Sequence, residues 1–569
     1  NGNHFTPVNL DYRDSVPDVP TNNFATLNPL VGTLSDTYSE GNLKLATTLS
    51  NAVYSHNRAT HGFSSGKWYF EFLWNATASA YGIFGIVADT VNPDTQYAGQ
   101  GDSYSYRSDN GNKITGGTAS SYGASFTTGD IIGIAVDMDN GTLTFYKNGS
   151  TQGQAFTGIS GTYFPACSDL DNNNSRNSTF TFNAGQDSSF AGAVATANSN
   201  ADGNGHGSFA YAPPSGFLAL CSQNLPDVAI IDGTDNFNTV LYTGNGYATT
   251  NTQSITGVGF QAGFTWIKHR NGSGSHTLFD EVRGAGKSLR SDSTDAESTQ
   301  SDSLTSFDSD GFSLGDNSES GAHVNVNSST YVSWNWLAGG SAVTNNNGSI
   351  TSSVSANTKA GFSIVSFDLQ SSGSKTVGHG LSAAPELYFL KGTTSSGAHW
   401  FTYYGDATDY MTLNSSGAGA DDDRLWDDTS PTSTVFTVGS LFTSGSYGAA
   451  HIAYCFHSVE GYSKIGNYVG NGSADGVFVY TGFRPAWIMV KNTGTTGGWE
   501  IHDNKRPGYN PAEKTVDANT SAAESNSNDL DILSNGFKLR NTYGTSNGSA
   551  NTYVYLAFAD QPFKFSNSG

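Results

Sequence analysis

Short apolar runs, each closed by a lysine and followed by a polar turn, recur along the C-terminal half of the chain. Three of them are Gly263–Lys268, Glu386–Lys391 and Ala486–Lys491. A run of about six β-branched and aromatic residues between turn-forming residues predicts a buried strand. Two of the runs follow a proline, Pro385 or Pro485. The pattern therefore predicts the same strand three times.

The flanks of this strand recur as well. Asp310–Leu314 matches Asn535–Leu539. Each copy then ends on an aromatic-rich segment, and these segments are Tyr331–Trp336, His451–Phe456 and Tyr553–Phe558. The copies are roughly 100 to 120 residues apart, which is the size of a small domain, whereas solenoid repeats are about 20 to 50 residues long. We expect three tandem copies of one β domain.

The N-terminal half has a different strand pattern. Gly66–Phe72 alternates like a half-buried strand, and Gly129–Asp137 and Thr142–Gly149 flank an Asx-Gly turn, which is a strong hairpin signal. Together with Tyr163–Pro165, these segments resemble the SPRY domain, which has a GKWYFE strand, a GxxxGxxxD strand and a GxLxFYKNG strand in the same order. The resemblance implies a bent two-sheet β-sandwich whose loops bind protein partners. The alternative is that the sandwich is a spacer.

The predicted fold class is all-β, with a SPRY-type β-sandwich followed by three tandem related antiparallel β-sandwich domains. Low-complexity small residues before Pro213-Pro214 predict a linker. The chain opens at Asn1 without a methionine, and we expect an upstream domain. The predicted boundaries are 1–57 for an N-terminal connector, 58–186 for the SPRY-like domain, 187–224 for the linker, and 225–345, 346–458 and 459–569 for the three repeats.

Composition and charge exclude several classes of function. Aromatic residues make up 12% of the chain, which favours folded β structure over disorder in this Gly-rich and weakly charged sequence. The net charge of −23 argues against a nucleic-acid partner. No apolar run approaches the 18 residues of a membrane span, so we expect no membrane insertion. Cys167, Cys221 and Cys455 are sparse and predict three buried thiols rather than disulfides.

No catalytic motif is present in the sequence, and we expect neither enzymatic activity nor a cofactor. The aspartates of Asp421-Asp422-Asp423 could form a glycosidase-like carboxylate pair. Asp169, Asp171, Asp308 and Asp310 lie in acidic turns that resemble Ca²⁺-binding loops, although the twelve-residue pattern with its terminal glutamate is missing. Solvated turns are the favoured interpretation, and a structural Ca²⁺ ion is the alternative.

Aromatic residues in loop-like segments are the stronger functional signal. Tyr104, Tyr106 and Arg107 lie in a Ser/Gly-rich segment, and Tyr and Arg among small residues favour recognition. Trp400 and Trp499 follow the turn after a lysine strand. We keep all five as receptor-binding candidates, with strand packing as the favoured alternative for the two tryptophans.

A wider set of motifs resembles virion proteins of tailed bacteriophages, mostly phages of marine or aquatic bacteria. The motifs are PPSGFLALCSQNLP (213–226), YTGNG (242–246), FDEVRGAGKSL (279–289), SDGFSLG (309–315), YVSWNWLAGG (331–340), VEGYSKIGNYVGNG (459–472) and YTGFRPAWIMVK (480–491). Proteins with this constellation are commonly labelled tail fibres. The resemblance implies a place in the virion.

The resulting expectation is a non-enzymatic appendage protein on the surface of a phage particle. It would contact other virion proteins and recognise a bacterial surface glycan or outer-membrane protein. By analogy with fibres we expect a homo-oligomer, a trimer. The alternatives are a capsid or tail decoration protein without receptor contact and a polysaccharide depolymerase that uses the carboxylates near Asp421.

Overall fold

The computed structural model describes residues 17–31, 36–47, 54–76, 81–170, 178–195, 198–246, 251–316, 323–369, 372–443, 447–526 and 530–566. Strands account for 45% of the structure and helices for 3%, so the predicted all-β class is confirmed. The chain forms two compact units, a first unit at Asn1–Asp227 and a second unit at Val228–Ser566. No helix in these described ranges is long and apolar enough to cross a membrane.

The first unit is an antiparallel β-sandwich. Its strands are β1 Thr37–Ser39, β2 Lys44–Ala46, β3 Asn57–Arg58, β4 Lys67–Ala76, β5 Tyr81–Ala88, β6 Ser103–Arg107, β7 Asn112–Thr115, β8 Thr118–Ser121, β9 Ile131–Asp137, β10 Thr142–Lys147, β11 Ser150–Phe156, β12 Tyr163–Leu170, β13 Ser178–Asn183 and β14 Leu218–Ala219. One sheet has the order β1-β2-β13-β4-β9-β10-β11, with β14 pairing in parallel with β4, and the other has the order β3-β12-β5-β6-β7-β8.

The two sheets enclose an apolar core that includes Phe70, Phe72, Phe84 and Phe182. Phe72 lies between the other sheet's Phe84, at 5.1 Å, and its own neighbour Phe182, at 4.9 Å. The predicted hairpin forms as β9 and β10, with Asp137 opposite Thr142. The two-sheet sandwich expected from the SPRY resemblance is therefore present.

The segment predicted as a linker differs from that expectation, because residues 198–222 pack against the sandwich. Phe209, Ala219 and Cys221 are buried against Tyr69 of β4. The polar composition of the segment conceals its few apolar anchors, which have no strand or helix period. We call residues 198–222 the strap. Phe24 of the N-terminal segment belongs to the same small apolar cluster, so this part of the predicted connector is also packed.

A buried carboxylate fixes the strap. Glu71 of β4 is fully buried and accepts hydrogen bonds from the backbone N–H groups of Ala210 and Tyr211, each at 2.9 Å. The side chains of Asn183 and Tyr69 donate to it at 3.2 and 3.1 Å. Burial raises the pKa of Glu71 to about 7, and the hydrogen bonds that it accepts oppose this rise.

The second unit consists of three repeats. The first contains β15 Phe237–Thr243, β16 Gln253–Thr256, β17 Phe264–His269, β18 Thr277–Asp280, β19 Lys287–Arg290, β20 Ser298–Thr299, β21 Leu304–Asp308, β22 Gly311–Leu314 and β23 Thr330–Trp336. The second contains β24 Val343–Asn345, β25 Ser352–Asn357, β26 Phe362–Asp368, β27 Lys375–Gly378, β28 Leu387–Gly392, β29 Trp400–Tyr403, β30 Asp409–Thr412, β31 Ala420–Asp421, β32 Val435–Val438 and β33 Ala450–Phe456, with helices α1 Asp423–Trp426 and α2 Ser440–Thr443. The third contains β34 Ser463–Val469, β35 Phe478–Tyr480, β36 Phe483–Asn492, β37 Trp499–Asp503, β38 Lys514–Asp517, β39 Ser525–Asn526, β40 Leu530–Leu533, β41 Gly536–Leu539 and β42 Thr552–Pro562, followed by α3 Phe563–Ser566.

The three repeats share one sheet order. The large sheets run β15-β23-β17-β18-β19-β20, β26-β33-β28-β29-β30-β31 and β34-β42-β36-β37-β38-β39. In each sheet the closing strand lies between the lysine strand and an earlier strand of the same repeat, which is β15, β26 or β34. A small sheet accompanies each large one, namely β16-β22-β21, β27-β32 and β35-β41-β40. The prediction of three related antiparallel β-sandwiches is confirmed.

The second repeat departs from the other two. Its large sheet is extended by β25 and β24, and β24 includes Val343–Asn345, which the sequence prediction assigned to the first repeat. It also contains the two short helices. Its small sheet has two strands where the other repeats have three.

One face of each large sheet contributes to a single apolar core. Phe264 and Trp266 of the first repeat, Phe389 of the second and Trp487 and Met489 of the third belong to it. In the first two repeats they alternate along their strands with Ile267 and Leu390, which belong to other apolar clusters, in keeping with the period of two residues in a strand. The closing strands meet there too, since the ring of Phe558 lies 5.6 Å from that of Trp336 and 5.9 Å from that of Phe456.

Candidate functional site

A group of tyrosines and one arginine is partly exposed on the first unit. Tyr54 is 48% exposed, and its ring lies 5.5 Å from that of Tyr97. The guanidinium carbon of Arg107 lies 4.0 Å from the centre of the Tyr81 ring. Asp109 binds Arg107 through two hydrogen bonds, at 2.6 and 2.7 Å. We call these five residues the tyrosine–arginine patch.

The sheet positions one half of this patch. β5 pairs with β6, so that Ile83 is opposite Arg107, and Tyr81 lies at the start of β5. Ser108, next to Arg107, donates its N–H to the carbonyl of Gly82 at 3.0 Å. The stacked pair of Tyr81 and Arg107 therefore stands at the end of a paired, regular part of the sheet.

A buried histidine positions the other half. His56 donates its backbone N–H to Pro93 at 3.1 Å, and its Nδ1 lies 2.7 Å from the carbonyl of Gln96. These contacts join the segment of Tyr54 to the loop of Tyr97. Burial lowers the pKa of His56 to about 3, so the imidazole is neutral at physiological pH. The exposed ring of Tyr54 and the partly buried ring of Tyr97 are therefore held together through their backbone segments.

The two halves lie close enough to interact electrostatically. Burial raises the pKa of Tyr97, Tyr54 adds to the rise, and the charge of Arg107 opposes it. Tyrosine rings and a guanidinium offer flat apolar faces for stacking, while Asp109 and the phenol groups supply hydrogen bonds. Such a surface suits recognition of a partner.

Of the sequence-predicted receptor residues, Arg107 lies in the patch, and the others differ from expectation. Tyr104, Tyr106 and Arg107 belong to strand β6 rather than to a loop, because Ser and Tyr alternate with the period of a strand. Tyr106 is 0% exposed, so its predicted receptor contact is wrong. Tyr104 is partly buried, with its ring 5.1 Å from that of Phe156.

The two predicted tryptophans are also buried, at 0% exposure for Trp400 and 1% for Trp499. Their indole N–H groups donate to Arg290 and Thr412, each in the preceding repeat, at 2.7 and 3.0 Å. A receptor contact by these residues is therefore wrong, and the packing alternative describes them correctly. Cys167, Cys221 and Cys455 are buried free thiols, as predicted.

The acidic turns serve the backbone and neighbouring hydroxyls. Asp310 accepts the N–H groups of Gly257 and Gly259, Asp308 accepts the hydroxyls of Ser306 and Ser313, and Asp169 accepts that of Thr47. Asp171 lies outside the described residues. Among those described, no group of three or more His, Cys, Asp or Glu side chains could hold a metal ion. Asp422, from the predicted carboxylate cluster, caps α1 and pairs with Arg424.

Sequence reasoning missed Tyr54, Tyr81 and Tyr97. These residues lie in three separate segments and share no motif, and their proximity follows from tertiary structure. Tyr81 opens an apolar run typical of a strand, and the turn-forming residues around Tyr97 were a usable signal for a surface loop.

The fold and this patch define a protein with one SPRY sandwich and one three-repeat β unit. The SPRY domain family matches residues 67–187. The family described as Domain of unknown function (DUF7483) matches residues 232–562, more than half of the chain. The chain belongs to this family, whose matched region lies within the three-repeat unit at Val228–Ser566.

Similarity to curated proteins extends over a short stretch of the chain. Ran-binding protein 9 of Danio rerio is 36% identical over 112 residues, which cover 19% of this chain and 19% of that protein. Ran-binding protein 9 of Homo sapiens is also 36% identical over 112 residues, covering 19% and 15%. The chain thus spans less than a fifth of the length of these relatives.

Solved structures similar to the chain include two SPRY domains. That of human HERC1 has 20% sequence identity and a TM-score of 0.22, covering 27% of this chain and 96% of the other. The PSpry domain of TRIM65 has 17% identity and a TM-score of 0.23, covering 28% and 92%.

Proposed function

We propose that the protein is a non-enzymatic surface protein of a tailed-bacteriophage virion, a tail fibre or related appendage, and that it binds a host receptor through the tyrosine–arginine patch. The observation that carries the proposal is the ring of Tyr54, 48% exposed, next to the partly buried ring of Tyr97 and beside the stacked Arg107. The resemblance of the motif constellation to phage proteins supports the virion location. The patch then supplies the contact that an adhesin requires.

The receptor is a bacterial surface glycan or an outer-membrane protein. A glycan fits the chemistry of the patch, because sugar rings stack on tyrosine faces and their hydroxyls pair with carboxylate and guanidinium groups. The net charge of −23 opposes strongly acidic polysaccharides and favours a neutral one.

The test compares binding of the purified protein and its variants to a panel of aquatic bacteria. Tyr54→Ala and Tyr97→Ala are expected to weaken adsorption to a susceptible strain at least about tenfold, a loss typical of central contact residues. Tyr509→Ala is the matched control, because Tyr509 is 81% exposed and lies in the second unit. Unchanged adsorption of both patch variants would remove the basis of the proposal.

A capsid or tail decoration protein is the second candidate. The burial of Trp400 and Trp499 favours it, since these two rings of the second unit serve packing and not recognition. Electron cryo-microscopy of intact particles separates the candidates. Density at the distal end of a tail appendage, in three copies if the expected homotrimer forms, supports receptor binding. Density on the capsid lattice or tail shaft supports decoration.

A further inference from the structure

Three lysines at matching positions of the three repeats are fully buried. They are Lys268, Lys391 and Lys491, each 0% exposed and each near the end of its lysine strand. Burial lowers the pKa of each to about 8. A buried ammonium group is costly unless hydrogen-bond acceptors surround it.

Backbone carbonyl groups supply those acceptors, in part from another repeat. The ammonium of Lys268 donates to His269 and Gly274 of its own turn, at 2.8 and 2.9 Å, and to Ser521 of the third repeat, at 3.3 Å. The ammonium of Lys491 donates to Asn492 at 3.0 Å and to Ser416 of the second repeat at 3.3 Å.

Lys391, in the second repeat, occupies an equivalent local site. Lys391 donates to the carbonyl of Ala398 in its own turn, and its Nζ lies 5.9 Å from the Trp400 ring. Asp295 of the first repeat acts on it electrostatically and raises its pKa against the larger effect of burial. This lysine therefore faces the first repeat.

The backbone around each lysine makes an equivalent pair of hydrogen bonds with the neighbouring repeat. The N–H groups of Gly274, Gly397 and Gly497 donate at 2.9 Å to the carbonyls of Ser521, Thr294 and Ser416, respectively. In the other direction, the N–H groups of Glu524, Glu297 and Gly419 donate at 2.8 Å to the carbonyls of Arg270, Thr393 and Thr493, respectively. The lysine turn of repeat one thus contacts repeat three, that of repeat two contacts repeat one, and that of repeat three contacts repeat two.

One interface used head to tail three times returns to its start, which is the geometry of a cyclic trimer. The closure between repeats one and three also has its own ion pair, with two hydrogen bonds of 2.9 and 3.1 Å from Arg270 to Glu524. Stacking of Phe237 on Phe558, at 5.3 Å, joins the first and last strands of the second unit.

The three interfaces share these backbone hydrogen bonds but differ in the side chains that pack beside them. Asp280 and Arg283 of repeat one form a buried ion pair at 2.5 Å, and Tyr454 of repeat two donates to Asp280 at 2.7 Å. Asp503 and Arg506 of repeat three pair at 2.6 Å, and Trp334 of repeat one donates to Asp503 at 3.0 Å. The remaining interface has Tyr404 and Leu556 at these positions, both packed in or against the common apolar core.

We propose that the second unit is a fused trimer, in which each of the three repeats packs one face against the next repeat around a closed ring. Lys268, Lys391 and Lys491 determine whether this ring closes. Each ammonium fixes a turn of its own repeat, and those of Lys268 and Lys491 also donate to the backbone of the neighbouring repeat. A methionine of similar length fills the space but cannot donate to those carbonyls, so it leaves buried acceptors unpaired.

The test cuts the full chain at one place. A protease site is introduced at Gly340-Ser341, an exposed connection between repeats one and two. Cleavage leaves repeats two and three on one fragment and repeat one on the other. A closed ring then holds the fragments through two interfaces, those of Lys268 and Lys391. The interface of Lys491 lies within one fragment.

The expected result is a stable nicked complex in native mass spectrometry. Lys268→Met accelerates dissociation of the nicked chain by about tenfold or more, since a hydrogen bond to a charged group contributes about 1.5 to 3 kcal/mol and this one crosses to Ser521. Lys391→Met also accelerates dissociation, but less, because its ammonium acts on the first repeat only through Asp295. Lys491→Met leaves the dissociation rate nearly unchanged. Lys359→Met, at an exposed lysine, serves as the matched control.

Two results would overturn the proposal. A Lys268→Met effect no larger than that of the control would mean that repeat one does not close on repeat three. Equal effects of all three buried variants would mean that the lysines act through general stability. If a methionine variant fails to fold, the double-mutant cycle of Arg270→Ala and Glu524→Ala tests closure independently. Its coupling should change dissociation about threefold, and additive effects would contradict closure.

Discussion

The two units cover their β-sheets by opposite chemistry. In the first unit a buried carboxyl group, that of Glu71, accepts hydrogen bonds from backbone N–H groups and fixes the strap on an outer sheet face. In the second unit buried cations such as Lys268 collect backbone C=O groups and join one repeat to the next. Both solutions satisfy backbone groups that lack a strand partner.

The difference between Glu71 and the buried lysines lies in which parts of the chain each side chain joins. Glu71 holds a mostly irregular segment whose only strand is the short β14, and its carboxyl group supplies acceptors for two backbone N–H groups. The lysines hold regular domains whose strands are already paired, and each adds a contact between neighbours. We therefore expect local consequences from changes in the first unit and shared consequences from changes in the second.

The largest expected effect is at a buried ion pair of the second unit. Arg506→Ala leaves the Asp503 carboxylate buried and without its cation, which should lower the free energy of unfolding of this unit by about 3 to 5 kcal/mol. Calorimetry of the full chain measures the shift. Arg424→Ala is the matched control, because the Asp422–Arg424 pair has a largely exposed arginine that water screens, so its shift should be much smaller. Similar shifts for both variants would contradict the prediction.

Glu71→Ala should have the next largest effect, and a local one. The N–H groups of Ala210 and Tyr211 lose a buried acceptor, at a cost of about 1 to 3 kcal/mol for each unsatisfied group. Hydrogen exchange should accelerate in the strap while protection in the second unit is unchanged. Glu71→Gln keeps one acceptor oxygen, so its hydrogen-exchange rates in the strap should lie between those of the native protein and those of Glu71→Ala. Uniform loss of protection throughout both units would contradict a local role.

A pH titration sharpens the comparison further. The pKa of Glu71 is raised to about 7, so its contribution to stability is fully present below the unfolded pKa of about 4.5 and is lost as the pH rises through 7. The stability advantage of the native protein over Glu71→Gln should therefore shrink between pH 4.5 and 7, by up to about 3 kcal/mol. Denaturant melts at several pH values measure this difference. A gap that widens with pH would reverse the sign and refute the prediction.

The smallest expected effect on stability is at the tyrosine–arginine patch. Tyr54→Ala removes a half-exposed ring and should change the free energy of unfolding by about 0.5 kcal/mol or less. Tyr106→Ala, one of the wrongly predicted receptor contacts, is the contrast, because this ring is buried and packs 5.0 Å from Phe126. It should cost about 3 to 5 kcal/mol. Thermal melts that rank the two variants the other way would contradict the assignment of the patch.

Much of the fold follows from periods that are readable in the sequence. The lysine strands, their closing strands and the hairpin at Asp139-Asn140-Gly141 have the right length, alternation and turns, and the structure forms them. Local periodicity does not reveal which sheet face meets another domain. Trp400 and Trp499 therefore resembled recognition residues, although each is covered by the preceding repeat.

The packing of the strap and the assembly of the tyrosine–arginine patch could not be predicted from local sequence patterns either. Phe209 and Cys221 are isolated apolar residues in polar text, and their partner Tyr69 is more than a hundred residues away. Tyr54 and Tyr97 meet because His56 joins two loops. Contacts of this kind depend on chain topology. The sequence identifies the residue types, but it does not show which of them lie close together in space.

Closure of the second unit also constrains how the gene can change. The lysine turn of repeat one needs the backbone at Ser521, and that of repeat three needs the backbone at Ser416. A duplication that adds a fourth copy, or a deletion that removes one, leaves two faces without a partner. Unlike an open solenoid, which tolerates gain or loss of internal copies, this unit can vary in its turns and outer strands but is fixed in copy number.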